Sequence, residues 1–210
     1  MIRIRRIVAG VFCAVGFLLL SPCARADLLA HLTLQSQPGD FIGQGGNFDI
    51  TYPSTEITAQ IHATVAGGLP AELSFILGHV SPAPNTFALL SFGTDHLGIE
   101  IQPGVYTGAE RAAFASPGKP GLDVSFQNRG CNTLTGQFTV TDATFYQSNQ
   151  AIASFSASFE QHCEGATPAL FGTFTFTDTA APANSPEPVT SVLFCVGCLL
   201  FLLRRVSLLR

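Results

Sequence analysis

The densest run of side chains able to do chemistry is Glu160-Gln-His-Cys-Glu164. In an extended strand, residues 160, 162 and 164 share one face. Glu160, His162 and Glu164 therefore form the candidate metal-ligand set, or an acid/base pair, around which a metal-assisted hydrolase could be built. The same alternation sends Cys163 to the opposite face, into a core. A structural strand end fits the pattern equally and is the favoured reading: carboxylates and imidazole would there satisfy turn amides or Arg129. The helical H-E-x-x-H zinc signature is absent. So is the G-x-S-x-G elbow of a serine nucleophile. Gly43-Gln-Gly-Gly46 lacks the spacing and the following helix of a phosphate-cradling loop, and reads as a turn or bulge. Asp40, Asp49, Asp95 and Glu100 are hard oxygen ligands suited to Ca²⁺, but they make no D-x-D-x-D-G loop. His31, His62, His79 and His96 stand isolated. No catalytic residue, cofactor-binding residue or cofactor is assigned, no metal site beyond that weak candidate set, and the chain is not expected to be an enzyme.

These residues must be positioned by whatever folds between two apolar runs at the chain ends. The first run opens on the basic stretch Met1-Ile-Arg-Ile-Arg-Arg6, continues through fourteen mostly apolar residues, 7–20, and ends Ser-Pro-Cys-Ala-Arg-Ala26. That is the layout of a secretion signal, with cleavage between Ala26 and Asp27. Fourteen residues at ~1.5 Å each span about 21 Å, short of the ~30 Å hydrocarbon core, which favours a signal over an anchor. A lipoprotein reading through Cys23 is poor, because Pro22 sits where a small residue belongs. The second run, 189–203, carries no charge and is followed by Arg204-Arg205. It stands behind the Pro/Ala-rich linker 179–188, which cannot fold alone. Positive charge beyond a helix stays in the cytoplasm, so the orientation is outside to inside, and fifteen residues make a marginal span.

The string Ser185-Pro-Glu-Pro188, the apolar helix behind it and the Arg204-Arg205 pair resemble the PEP-CTERM sorting tail of Gram-negative bacteria. The resemblance covers the last 26 residues or so and rests on Pro186, Glu187, Pro188, Arg204 and Arg205. It implies recognition by an exosortase, a membrane transpeptidase, and an association with exopolysaccharide and biofilm. The same residues also describe an ordinary C-terminal anchor. With processing, the mature protein has no membrane helix. The partners expected are signal peptidase, an exosortase-type enzyme, the inner membrane before processing, and exopolysaccharide afterwards. The expected location is the cell surface or the extracellular space.

Removing the ends changes the charge balance. Between residues 27 and 178 only Arg111, Lys119 and Arg129 oppose thirteen acids, a formal charge near −10. A domain this acidic repels nucleic acid and anionic membrane surfaces. Of the six cysteines, Cys13 and Cys23 fall in the signal and Cys195 and Cys198 in the apolar tail. Cys131 and Cys163 remain, a single pair bound for an oxidising compartment and expected to form a disulfide.

From 28 to 178 the hydrophobic period is two. Ile57, Ala59, Ile61, Ala63 and Val65 alternate with polar residues; Ala151, Ala153, Phe155, Ala157 and Phe159 do the same against Ser154, Ser156 and Ser158. Alternation of this kind puts one face on a core and one in water. With Gly and Pro between the runs, eight to ten short strands are expected, arranged as an all-β, antiparallel β-sandwich of jelly-roll-like form. The domain organisation is then 1–26 signal helix, 27–178 exported domain, 179–188 linker with the Pro-Glu-Pro motif, and 189–210 apolar helix with its Arg-rich end.

Arg129-Gly-Cys-Asn-Thr-Leu-Thr-Gly-Gln-Phe-Thr-Val140, Phe155-Ser-Ala-Ser-Phe-Glu-Gln-His-Cys-Glu-Gly165 and Pro168-Ala-Leu-Phe-Gly172 resemble an uncharacterised β-rich domain found in many secreted bacterial proteins. Gln37-Pro-Gly-Asp-Phe-Ile-Gly-Gln-Gly45 and Pro103-Gly-Val-Tyr-Thr-Gly108 look like its earlier landmarks. The resemblance implies a shared fold and the Cys131–Cys163 bridge, and carries no activity. The expected function is a structural or interaction role in the envelope or matrix. The alternative is a polysaccharide- or calcium-binding module, although the chain has no Trp and three Tyr with which to stack sugar rings.

Overall fold

The computed structural model describes residues 27–81, 83–146 and 151–179. The expected signal helix with Ala26, the motif Pro186-Glu187-Pro188, the apolar helix 189–210 and the pair Arg204-Arg205 lie outside the described residues, as does most of the linker.

Among the described residues ten strands follow one another: β1 (Leu28–Ser36), β2 (Asn47–Pro53), β3 (Ile57–Val65), β4 (Leu69–Leu77), β5 (Ala88–Gly93), β6 (Gly104–Arg111), β7 (Gly121–Phe126), β8 (Leu134–Phe145), β9 (Ile152–Cys163) and β10 (Leu170–Asp178). The period-two pattern explains their faces. In β3 the expected apolar set is the more buried one throughout, though only Ile57 is fully covered. β9 turns Phe155, Ala157, Phe159 and Cys163 inward and leaves Ser156, Ser158, Glu160 and His162 outside. One detail differs from expectation: Ile152, not Ala151 or Ala153, is the buried residue at the start of β9. A register shift against β8, where Phe145 pairs with Ile152, skips Ala153 and inverts the alternation.

The all-β class is as expected, but hydrogen bonding does not stop at two separate sheets. All ten strands form one sheet, in the order β2-β1-β10-β9-β8-β6-β7-β5-β4-β3, nearly closed into a barrel. Every pairing is antiparallel except β6–β7, a two-residue parallel contact at Glu110–Gly121 and Arg111–Leu122. That short contact is what joins the halves. Inside, Phe75 and Phe92, from β4 and β5, meet Phe138, Phe155, Phe159, Phe174 and Phe176 from β8 to β10. Their ring centroids lie 4.7–6.5 Å apart. Such pairs contribute beyond the area they bury.

The seam between β6 and β7 has an unusual filler. Gln161 points inward from β9 and is fully buried. Its Oε1 accepts from the Val124 N–H and its Nε2 donates to the Val124 carbonyl, both at 2.8 Å. A side-chain amide thus stands in for the backbone of a missing strand neighbour and satisfies two groups that burial would otherwise leave unpaired. The same Nε2 lies 3.2 Å from Cys131 Sγ. Cys131 and Cys163 are joined, with Cα atoms 5.0 Å apart.

Two poles result. Leu28 pairs with Asp178, and the Thr179 N–H donates to the Asp27 carbonyl at 3.1 Å, so both described chain ends leave side by side. At the other end of these strands lie the disulfide and the loop 37–46. Arg129 Nε donates to the Ile42 carbonyl at 2.7 Å and ties that loop to the 127–133 segment. Gly43 is required there, because a Cβ would sit 2.4 Å from Ser36 Cβ. Gly43-Gln-Gly-Gly46 is a turn, as its composition suggests.

Candidate functional site

The outward faces of β8, β9, β10, β1 and β2 form a broad polar surface whose register is set by the strand ladders. One row runs Thr139, Ser158, Thr173, Thr33, Asp49 and the next Gln137, Glu160, Phe171, Gln35, Asn47. Hydroxyl groups meet across strands, as with Thr33 and Thr173, whose Oγ1 atoms are 2.6 Å apart. Between the two rows, over β8, β9 and β10, lies a depression of about 330 Å³ bordered by Gln137, Thr139, Ser158, Glu160, Phe171 and Gly172. Gly172 has the inward alternation of β10, and a Cβ there would fall 2.3 Å from Phe159 Cζ and 2.6 Å from the Thr33 carbonyl.

Glu160 sits on this border. Its Oε2 accepts from Gln137 Nε2 at 2.8 Å, and its Oε1 lies 3.1 Å from His162 Nε2. Because an ionised carboxylate only accepts, the hydrogen of that contact is carried by His162 Nε2, and His162 Nδ1 is buried without a hydrogen-bond partner among the described residues. Chiefly through Gln137, and then through His162, the carboxyl is held below its ordinary range and stays ionised. Glu164 does not join this pair. It lies past the end of β9 with φ +54° and turns its carboxylate onto the adjoining segment. There it accepts from the Asn132 N–H, from the Thr133 N–H at 3.3 Å and from Thr133 Oγ1 at 3.1 Å. The Asn132 amide is the main reason that its carboxyl is held low. The shared face expected of Glu160, His162 and Glu164 therefore holds for two of the three, because the strand ends one residue early. Turn amides take the third. Arg129 takes none of them and bonds Ile42 and Gln127 instead.

The scattered acids stay apart. Asp40 is buried and its Oδ2 accepts from Ser36 Oγ and the Gly43 N–H, both at 2.8 Å. Asp49 lies 2.7 Å from His31 on the outer face, and Asp95 lies beside His96 in a short turn. Among the described residues, no three His, Cys, Asp or Glu side chains are grouped so as to hold a metal ion.

A second polar group escaped the sequence reading. Glu72 on β4, Ser91 on β5 and Asp123 on β7 lie on the outside of the opposite half, yet each is buried. The short turn Ala112–Phe114 packs against β5, β6 and β7 here. Asp123 Oδ2 accepts from Arg111 Nε at 3.0 Å, and the Arg111 guanidinium stacks 5.1 Å from the Phe114 ring. Burial pushes the Glu72 and Asp123 carboxyls up, with Arg111 opposing the shift at Asp123. The signal in the sequence was an acid inside an apolar run, in Leu-Pro-Ala-Glu-Leu and in Gly-Leu-Asp-Val.

Compared with protein-family models, with curated proteins and with solved structures, the chain has no match.

Proposed function

We propose that the chain is an exported envelope or matrix protein whose domain, residues 27–178, has a structural or interaction role and is not an enzyme. In this reading residues 1–26 are removed by signal peptidase. The tail holding Pro186, Glu187, Pro188, Arg204 and Arg205 anchors the chain in the inner membrane until an exosortase-type enzyme acts on it. The observation that carries the reading is the arrangement of the poles. Asp27 and Thr179 are hydrogen-bonded neighbours, so a domain held through its tail would present the opposite pole, with its disulfide, away from the attachment. A disulfide persists in an oxidising compartment and is rare in the cytosol, which supports the same location. As to finer architecture, we read the packing of Phe75 and Phe92 against the β8–β10 phenylalanines as a sandwich-like flattening of the barrel.

The test is the intact mass of the protein from cells with and without exosortase. A mature N-terminus at Asp27, loss of the apolar tail only where the exosortase is present, and no free thiol in the domain are the expected outcome. A full-length chain recovered from cytosol with Cys131 and Cys163 reduced refutes it.

A further inference from the structure

We propose that the depression over β8, β9 and β10 binds a neutral hexose polymer, seating one sugar ring between Phe171, Glu160, Gln137 and Ser158. The inference rests on the reading of the domain as an interaction module, and names the ligand class of its outer face. Four observations carry it.

The first is size: about 330 Å³ lies at the lower end of the range of small-ligand sites and is suited to one pyranose ring. The second is the pairing of surfaces. Phe171 is the one Phe, Tyr or Trp side chain at an outward position of β8, β9, β10, β1 and β2 among the described residues. A half-exposed ring of this kind offers a flat apolar platform to the C–H face of a sugar. Glu160 and Gln137, across the same row, offer a carboxylate and an amide to its hydroxyls, and hydrogen bonds to an ionised acceptor are the stronger ones. Third, the polar groups are already in place. The Gln137–Glu160–His162 chain fixes the carboxylate before a ligand arrives, which lowers the ordering cost of binding. The fourth is charge. Among the described residues the face has no Lys or Arg: Arg111, Lys119 and Arg129 all lie on other segments, against thirteen acids between residues 27 and 178. A uronic-acid polymer would be repelled, and a neutral one would not. Beyond the depression, the row Ser158, Thr173, Thr33 continues the hydroxyl surface across strands about 4.8 Å apart, close to the length of one hexose, so that a polymer can extend along it.

The test uses the full-length chain in a zwitterionic detergent, free of sugar headgroups. Cellohexaose, maltohexaose and isomaltohexaose are the neutral probes and an alginate hexamer the anionic one, read by titration calorimetry and saturation-transfer NMR. One shallow ring site predicts a millimolar to sub-millimolar Kd for at least one neutral hexaose. Phe171→Ala and Glu160→Gln should each weaken it tenfold or more. Phe114→Ala, which removes an exposed ring from the other half, should leave it unchanged. Should Phe171→Ala melt well below the parent, Glu160→Gln, which alters only an outward group, decides the matter. Three results overturn the proposal: no neutral hexaose binding at millimolar concentration, preference for the alginate hexamer, or binding that survives both substitutions. Each leaves export and tail processing untouched, so this failure is distinguishable from that of the functional reading itself.

Discussion

Replacing Gln161 by leucine removes the side chain that closes the β6–β7 seam while keeping its volume roughly constant. Two hydrogen bonds of 2.8 Å to Val124 disappear, and both backbone groups then lie in a core with nothing to bond. Leaving a buried donor or acceptor unpaired costs about 1–3 kcal/mol, so the pair costs about 2–6 kcal/mol. The leucine recovers roughly 1–2 kcal/mol by burying apolar surface. A net loss of about 3 kcal/mol corresponds, for a domain of this size, to a melting point lower by roughly 6–12 °C. Urea unfolding of parent and variant measures the loss. Hydrogen exchange at the Val124 amide reads its local cause, since that proton should lose protection well before its neighbours on β5. Gln161→Glu is the discriminating partner. At neutral pH a buried carboxylate cannot donate to the Val124 carbonyl, whereas the protonated acid can, so this variant should regain stability as the pH falls. A leucine variant that melts within experimental error of the parent, with Val124 equally protected, would refute the view that the seam depends on Gln161.

Reducing the Cys131–Cys163 bridge opens a loop spanning 32 positions, worth up to about 3.7 kcal/mol in the chain-entropy model; coincident urea curves for the oxidised and reduced protein would show that the bridge contributes nothing. Glu72 is buried and its carboxyl is raised above the ordinary value, chiefly by burial. The native state therefore holds that proton more tightly than the unfolded one. Its stabilising contribution is present below the ordinary carboxylate pKa and is lost as the pH rises through the raised value. Glu72→Gln should accordingly be more stable than the parent at neutral pH and show a flatter decline as the pH rises past the ordinary carboxylate pKa, as read by melting temperature against pH. Gly172→Ala places a methyl 2.3 Å from Phe159 Cζ and 2.6 Å from the Thr33 carbonyl. Overpacking of this kind costs about 1–3 kcal/mol, and an unchanged unfolding midpoint would mean that β10 yields more readily than its ladder implies.

Several features could be read from the chain directly because they are local. Alternation such as Ile57, Ala59, Ile61 reports which side of a strand is apolar, and that suffices for the all-β class. The Cys131–Cys163 pairing followed from assigning the other four cysteines to the chain ends. Glu160 and His162 could be put on one face by parity alone, but Glu164 could not, since parity holds only while the strand lasts and β9 ends at Cys163. Which strands neighbour one another is a different kind of fact. A sandwich and a nearly closed barrel share the same alternation, and the two-residue contact at Glu110 and Arg111 that separates them leaves no periodic trace. Gln161 looks like any polar strand residue until Val124, 37 positions away in sequence, is found against it. The depression likewise exists only because the register of three strands sets Gln137, Glu160 and Phe171 side by side. Hydrophobic patterning is a property of each segment. Pairing, register and the satisfaction of buried amides are properties of segments brought together, and only tertiary structure decides them.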